Sequence, residues 1–140
     1  MTETAPRSPR ATILITDDDP TLRAIGAELL TCEGYRVLEA GDGDEALRLI
    51  EVEPVDLLIL DMLMPNKDGL ETIMELRRRG SEVRILAISS GGSMDINTLL
   101  RSAMVFGADR TLSKPLPLST FADTIADMLL TPAVKNDLFR

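Results

Sequence analysis

The sequence predicts an α/β fold, a five-stranded doubly wound parallel sheet with helices on both faces. Short apolar runs alternate five times with longer segments in which apolar residues recur at helical spacing. Several of the short runs are almost continuously apolar, which is typical of strands buried on both faces. Because parallel strands need right-handed crossovers, alternation at this spacing favours one sheet covered by helices on both sides.

The elements follow one another without a break. The strands are predicted over residues 12–16, 35–40, 55–60, 83–88 and 109–113. The helices are predicted over residues 20–33, 43–52, 69–79, 94–106 and 117–130. Pro20 suits a first helical turn, and Asp42 is a helix-capping residue. Glycines that stop a helix stand at Gly34, Gly80 and Gly107.

The helical patterns also predict which side chains face the core. In the first helix the apolar positions at helical spacing are Leu22, Ile25, Leu29 and Leu30. In the third helix the inward positions are Leu70, Ile73, Met74 and Leu76. Cys32 has no basic or metal-binding neighbour in the sequence, so a packing role is favoured over a reactive one.

Composition restricts the classes of partner. The chain of 140 residues carries 15 basic and 23 acidic side chains, a net charge of -8, which argues against non-specific binding to nucleic acid or to an anionic membrane surface. We expect no nucleic-acid or membrane partner. A single cysteine and no signal-peptide or membrane-spanning pattern suggest a cytoplasmic protein. We expect a disordered lead over residues 1–10, one domain over 11–130 and a tail over 131–140.

Polar residues follow four of the apolar runs. Asp17, Asp18 and Asp19 follow the first, Asp61 the third, Ser89 the fourth, and Lys114 the fifth. In parallel α/β sheets the functional site lies outside the carboxyl ends of the strands. An acidic cluster, a hydroxyl and an ammonium gathered there predict a phosphoryl-transfer site with a divalent metal.

The chain resembles the receiver domain of two-component response regulators over about residues 11–130. The resemblance rests on the joint spacing of four motifs, 13–20 (ILITDDDP), 56–65 (DLLILDMLMP) with Asp68-Gly69, 88–90 (ISS) and Lys114-Pro115. It implies a flavodoxin-like strand order, 2-1-3-4-5. Single-domain, chemotaxis-type proteins have the same architecture, so we expect a stand-alone response regulator.

The resemblance also implies residue roles. Asp61 is the nucleophile that accepts a phosphoryl group from a sensor histidine kinase or phosphotransfer protein. Asp18 and Asp61 bind Mg²⁺ directly, Asp17 binds it through water, and the backbone carbonyl of Leu63 completes the protein ligands. Lys114 supplies positive charge, and Ser89 hydrogen-bonds a phosphate oxygen after transfer, moving the loop 89–93 and signalling to a downstream protein.

Several of these residues have a simpler interpretation. Asp19 is better read as a helix cap than as a ligand, and Asp68-Gly69 as turn chemistry. Lys114 could be a surface lysine and Ser89 an ordinary loop hydroxyl, although the position of Lys114 after a strand favours the site. Gly91-Gly92 lacks the spacing of a phosphate-binding loop and is read as a hinge.

Thr111 departs from the family pattern. Many receivers carry an aromatic residue three positions before the lysine, and its ring turns inward when the hydroxyl residue moves. Threonine cannot fill that volume. We therefore expect output coupling mainly through the loop 89–93 and the helix 94–106.

Two other functions stay open at this stage. Asp17-Asp18-Asp19-Pro20-Thr21 fits the D-x-D-x-T opening of a Mg²⁺-dependent phosphohydrolase in which Asp17 is the nucleophile. An adaptor could keep the fold and signal without phosphate. The leading prediction is a phosphoacceptor that is not a classical enzyme, with homodimerisation through the fourth and fifth βα units as a further option.

Overall fold

The chain forms one parallel sheet in which each strand is followed by a helix. The structure is a computed structural model that describes residues 10–64, 68–89, 96–115 and 117–130. The strands are β1 (Thr12–Thr16), β2 (Arg36–Ala40), β3 (Leu57–Asp61), β4 (Arg84–Ser89) and β5 (Arg110–Ser113). The helices are α1 (Pro20–Cys32), α2 (Gly43–Val52), α3 (Gly69–Arg78), α4 (Ile96–Phe106) and α5 (Leu118–Leu130).

The five strands lie in the order β2-β1-β3-β4-β5, and every pairing is parallel. The predicted doubly wound fold and its strand order are therefore confirmed. β3 and β4 each extend one residue beyond the predicted end, so Asp61 and Ser89 are the last residues of strands.

The sheet separates two buried apolar clusters. The strands alternate their side chains between the faces, so that Leu14 and Leu58 lie in one cluster and Ile13 and Ile59 in the other. Helices α2, α3 and α4 cover the first face, and α1 and α5 cover the second. Burial on both faces explains why β1 is apolar over residues 13–15 and β3 over residues 57–60.

Aspartates begin three of the helices. Asp19, Asp42 and Asp68 are the N-cap residues of α1, α2 and α3, and each side chain accepts a backbone N–H of the first turn. The capping predictions for Asp19 and Asp42 are confirmed. Asp68 turns out to cap a helix as well as to precede Gly69.

Several packing predictions are wrong. Met74 is exposed because Ile73 and Leu76 occupy the buried stripe of α3, and a residue next to Ile73 is rotated by about 100° from it. Cys32 is exposed because it is two residues, about 200° of helix rotation, from the buried Leu30. Leu22 and Ile25 keep helical spacing but are also exposed.

Candidate functional site

The residues predicted to act together lie at one edge of the sheet. Asp17 follows β1, Asp61 ends β3, Ser89 ends β4 and Lys114 follows β5. Since all four strands are parallel, their carboxyl ends meet at the same edge. The distances between their side chains decide whether these residues form one site.

Three carboxylates converge there. Asp17, Asp18 and Asp61 each place one carboxylate oxygen within 4.8 Å of those of the other two. Asp17 and Asp61 are buried, with exposed fractions of 8% and 9%, whereas Asp18 is exposed. Gathering three acids with two of them desolvated costs free energy unless positive charge compensates, an arrangement typical of cation-binding sites.

Lys114 provides part of that charge. Its Nζ lies 3.5 Å from Asp17 Oδ2 and 3.9 Å from Asp61 Oδ2. The backbone N–H of Lys114 donates to the Ser89 carbonyl at 2.8 Å, which fixes the lysine beside the end of β4. The surface-lysine interpretation therefore does not hold, because the ammonium bridges two members of the cluster.

Among the three carboxylates, Asp61 is the one whose charged form is disfavoured by its surroundings. Burial raises the pKa of its carboxyl from 3.8 to about 6, against the lowering effects of the Leu63 N–H and the Lys114 charge. Asp17 and Asp18 raise the pKa further through repulsion. The Leu63 N–H donates to Asp61 Oδ1 at 3.0 Å, which orients the carboxylate while Oδ2 faces Lys114.

The donor set fits a hard divalent cation. Every candidate ligand is oxygen, the preference of Mg²⁺, whose bonds of about 2.1 Å put two bound oxygens about 3 to 4 Å apart. Carboxylate oxygens up to 4.8 Å apart suit a cation that two of the carboxylates bind directly and the third binds through water. Asp17 suits the indirect position, because its Oδ1 already accepts the Asp19 N–H at 2.9 Å.

Ser89 and Thr111 lie on β4 and β5, the two strands that follow β3 in the sheet. Ser89 is fully buried at the end of β4, one residue after Ile88, which pairs with Asp61 in register. Thr111 is half-buried on β5 and pairs with Ala87. The roles predicted for both residues stay predictions, and residues 90–93 of the loop 89–93, with Gly91-Gly92, lie outside the described residues.

Arg23 contacts the site but was not singled out from the sequence. Its Nη1 donates to the Asp17 carbonyl at 2.8 Å, and its Nε donates to Glu39 Oε1 at 3.0 Å. An arginine one turn into a helix that follows an acidic run was the available signal. It was too common a pattern to distinguish from a solvated surface charge.

Gly69 lets α3 approach the backbone that follows Asp61. A Cβ at this position would lie 2.7 Å from both Cα and Sδ of Met62 and 3.0 Å from the Asp61 carbonyl oxygen. We expect Gly69→Ala to lower the free energy of unfolding by about 2 kcal/mol, because backbone atoms must move. Urea denaturation of the variant and wild type measures this difference.

Gly26→Ala is the matched control for that substitution. Gly26 lies within α1, and its added Cβ would meet Ile15 Cδ1 at 3.4 Å, an ordinary contact. Alanine favours helix by up to about 1 kcal/mol over glycine, so this variant should equal or exceed wild type. Equal stability of the two variants would contradict a tight contact at Gly69.

The fold and the acidic edge together define a doubly wound α/β protein with three carboxylates and a lysine at the carboxyl edge of its sheet. The model of the response regulator receiver domain family matches residues 13–126, and the chain belongs to that family. It is 42% identical over 103 residues to the transcriptional regulatory protein CpxR of Klebsiella pneumoniae, covering 74% of this chain and 42% of that protein. It is 34% identical over 125 residues to the response regulator MprA of Mycobacterium ulcerans, covering 89% of this chain and 53% of MprA.

Solved structures agree with the fold. The receiver domain of NtrX from Brucella abortus superposes with a TM-score of 0.77 at 28% identity, covering 85% of this chain and 98% of that domain. The chain thus spans about half the length of the two curated relatives and nearly all of an isolated receiver domain. The prediction of a stand-alone regulator is not confirmed by these matches.

In the part of the chain that the structure describes, no helix combines the length and the apolar character needed to cross a bilayer.

Proposed function

We propose that the chain is the phosphoacceptor of a two-component phosphorelay and receives its phosphoryl group on Asp61. The observation that carries the proposal is the Lys114 ammonium, which lies within 4 Å of the carboxylates of both Asp17 and Asp61. A lysine in this position can neutralise an anionic phosphoryl group on Asp61. A histidine kinase or phosphotransfer protein is the proposed donor.

The transfer exchanges one phosphorus bond for another. Asp61 Oδ2, which faces Lys114, attacks the phosphorus of a phosphohistidine. The new O–P bond forms as the N–P bond breaks, and the electron pair returns to the imidazole of the donor. The phosphoryl group then stays on Asp61 until water removes it, so the chain acts as an acceptor in a relay and not as a classical enzyme.

Asp17, Asp18, Asp61 and the carbonyl of Leu63 would hold Mg²⁺ in this site. When bound, the ion supplies positive charge to the transferred phosphoryl oxygens. Leu63 already hydrogen-bonds Asp61 through its own N–H, so the 61–63 turn is preformed. Asp19 is left out of the proposed ligand set, because it does not belong to the carboxylate cluster and its Oδ1 accepts the capping N–H groups of Thr21 and Leu22.

The response to phosphate is proposed to start at Ser89. The Ser89 carbonyl accepts the Lys114 N–H, so a movement of Ser89 toward the phosphoryl group would also shift the carboxyl end of β5. With Thr111 too small to act as an aromatic switch, α4 is the element proposed to carry the signal to a downstream protein. Its exposed Met104 and Val105 offer an apolar contact for that protein or for a second copy of the chain.

Intact-mass analysis tests the proposed function. Wild type incubated with Mg²⁺ and acetyl phosphate should gain one phosphoryl group, with acetate as the leaving group, and Asp61→Asn should gain none. Asp17→Asn should still be phosphorylated, more slowly, because only a metal ligand is lost. An adduct on Asp61→Asn but not on Asp17→Asn would support the phosphohydrolase, and no adduct on wild type would support the adaptor.

A groove beside Asp61 supports a protein donor. A cavity of about 560 Å³ opens between α1 and α5 and reaches Asp17, Asp61 and Lys114. Apolar side chains line its walls, and three of them, Leu22, Ile25 and Leu118, are exposed by 49%, 56% and 62%. An amphipathic helix is the partner element that such a groove fits. We infer that the phosphodonor protein lays a helix here and brings its phosphohistidine to Asp61.

Ile25→Glu separates docking from chemistry. A carboxylate in the apolar groove should reduce transfer from a phosphohistidine-bearing phosphotransfer protein by about 100-fold, since a buried unpaired charge costs several kcal/mol. Transfer from acetyl phosphate, which needs no groove, should remain within a factor of two or so of wild type. Rates of adduct formation with each donor measure both effects.

Val105→Glu is the control for that prediction. Val105 is 75% exposed and lies on α4, which covers the opposite face of the sheet from α1 and α5. It introduces the same charge without touching the groove, so transfer from both donors should match wild type. Equal slowing by both variants would refute docking in the α1–α5 groove.

A further inference from the structure

We propose that Arg23, oriented by Glu39, is a positioning residue that sets the affinity of the acidic cluster for Mg²⁺. The proposal rests on the phosphoacceptor function proposed above and adds two residues to it. Arg23 touches none of the three carboxylates in its hydrogen bonds, which go instead to the Asp17 carbonyl and to Glu39. Its role is therefore exerted through the backbone that carries two of the acids.

The backbone of Asp17 is held from both sides. Its N–H donates to the Ala40 carbonyl at 3.2 Å, and its own carbonyl accepts Arg23 Nη1 at 2.8 Å. Arg23 is itself fixed, because its backbone N–H donates to the Asp19 carbonyl at 3.0 Å within the first turn of α1. The Thr16–Asp17 peptide is thus held by β2, and the Asp17–Asp18 peptide is held by α1.

The hydrogen bonds on either side of Asp17 determine how the carboxylates of Asp17 and Asp18 are oriented. Asp17 and Asp18 are consecutive, so rotation of the peptide between them changes the separation and direction of both side chains. Three oxygens within 4.8 Å of one another repel when no cation is bound. A hydrogen bond to the Asp17 carbonyl opposes the rotation that would relieve this repulsion.

Glu39 makes the arrangement compatible with a cation. Its Oε1 accepts Arg23 Nε at 3.0 Å, so the guanidinium has a carboxylate partner outside the cluster. The pair is partly exposed, with side-chain exposures of 21% for Arg23 and 41% for Glu39. Pairing offsets the positive charge of Arg23, which would otherwise oppose the entry of Mg²⁺, and leaves the carboxylate oxygens of the cluster available.

The guanidinium geometry is required for this double contact. An arginine presents N–H groups in a rigid planar fork and can reach a carbonyl and a carboxylate at once. A lysine has the same charge but a single nitrogen, so it can satisfy one of these acceptors well. Arg23→Lys should therefore restore only part of the function lost in Arg23→Gln.

Calorimetric titration with Mg²⁺ alone tests the proposal. Arg23→Gln should raise the Mg²⁺ dissociation constant by about 10-fold, the usual size of an effect from residues that orient metal ligands. Glu39→Gln should also raise the Mg²⁺ dissociation constant, by a smaller factor. The dissociation constant of Arg23→Lys should lie between those of Arg23→Gln and wild type. Arg36→Gln is the control, because it also breaks one surface ion pair from β2, with Glu53, but away from the cluster.

The outcomes separate this proposal from the function on which it rests. A wild type that binds no Mg²⁺ at millimolar concentration would refute the metal site itself. A wild type that binds Mg²⁺ beside an Arg23→Gln variant of unchanged affinity would refute only the role of Arg23. Urea denaturation without metal completes the test, since a purely structural role predicts lower stability with unchanged Mg²⁺ affinity, and that result also overturns the proposal.

Discussion

Metal-free Asp61→Asn protein is expected to be more stable than wild type at pH 8 by up to about 3 kcal/mol. Burial raises the pKa of Asp61 in the folded chain to about 6, from an ordinary value of 3.8. The folded state then binds the proton more tightly than the unfolded state does. Ionising Asp61 therefore destabilises the fold, and each pKa unit corresponds to about 1.4 kcal/mol.

The pH dependence has a defined sign. Between pH 4 and pH 6 the folded state holds more protons on Asp61 than the unfolded state, so the free energy of unfolding of wild type falls as pH rises. Asparagine does not titrate, and the variant should lack this component. The gap between the two proteins should be small at pH 4, grow up to about pH 6 and stay constant above it.

Urea denaturation in EDTA at several pH values measures this gap. Asp123→Asn, at an exposed position on α5, serves as the control for the removal of a surface carboxylate. If the free energy of unfolding of Asp61→Asn and that of wild type changed with pH in parallel, a destabilising effect of ionised Asp61 would be contradicted. Addition of Mg²⁺ should narrow the gap at pH 8, because an ion that binds only the folded wild type stabilises it.

The strain at Asp61 explains why the sequence was informative about this site. A carboxylate at the end of an apolar strand is unfavourable unless something compensates its charge, so its position in the sequence already indicates function. Asp17, Asp18 and Lys114 could be placed beside it, because parallel strands bring their carboxyl ends together. The structure adds the distances, of which the position of Lys114 between two acids matters most.

Other features depend on contacts that periodicity does not encode. Met74 and Cys32 have the apolar character of core residues, but their exposure depends on which flank of a helix the neighbouring helices cover. Leu22 and Ile25 fit a core pattern equally well and line an open groove. Arg23 and Glu39 are sixteen residues apart in the chain, so their pairing was visible only once β2 lay beside β1.

Lys114→Met is expected to slow phosphorylation of Asp61 by acetyl phosphate by about 100- to 1,000-fold, the usual cost of losing one preorganised charge-stabilising group. The Lys114 ammonium lies 3.9 Å from Asp61 Oδ2, where negative charge accumulates during transfer. Methionine keeps most of the side-chain volume and removes the charge. Rates of adduct formation by intact mass, at saturating Mg²⁺, measure the effect.

Two further variants show whether the charge or the packing of Lys114 is responsible. Arg110→Gln removes a positive charge from β5 that pairs with Asp127 and lies four residues from Lys114, and it should leave the rate unchanged. Lys114→Arg restores the charge with a different shape and should recover part of the rate.

Because Lys114 also lowers the pKa of Asp61, its loss leaves ionised Asp61 less well compensated. Metal-free Lys114→Met should therefore be less stable than wild type at pH 8, and a variant that was slow but equally stable would place the lysine in transfer alone.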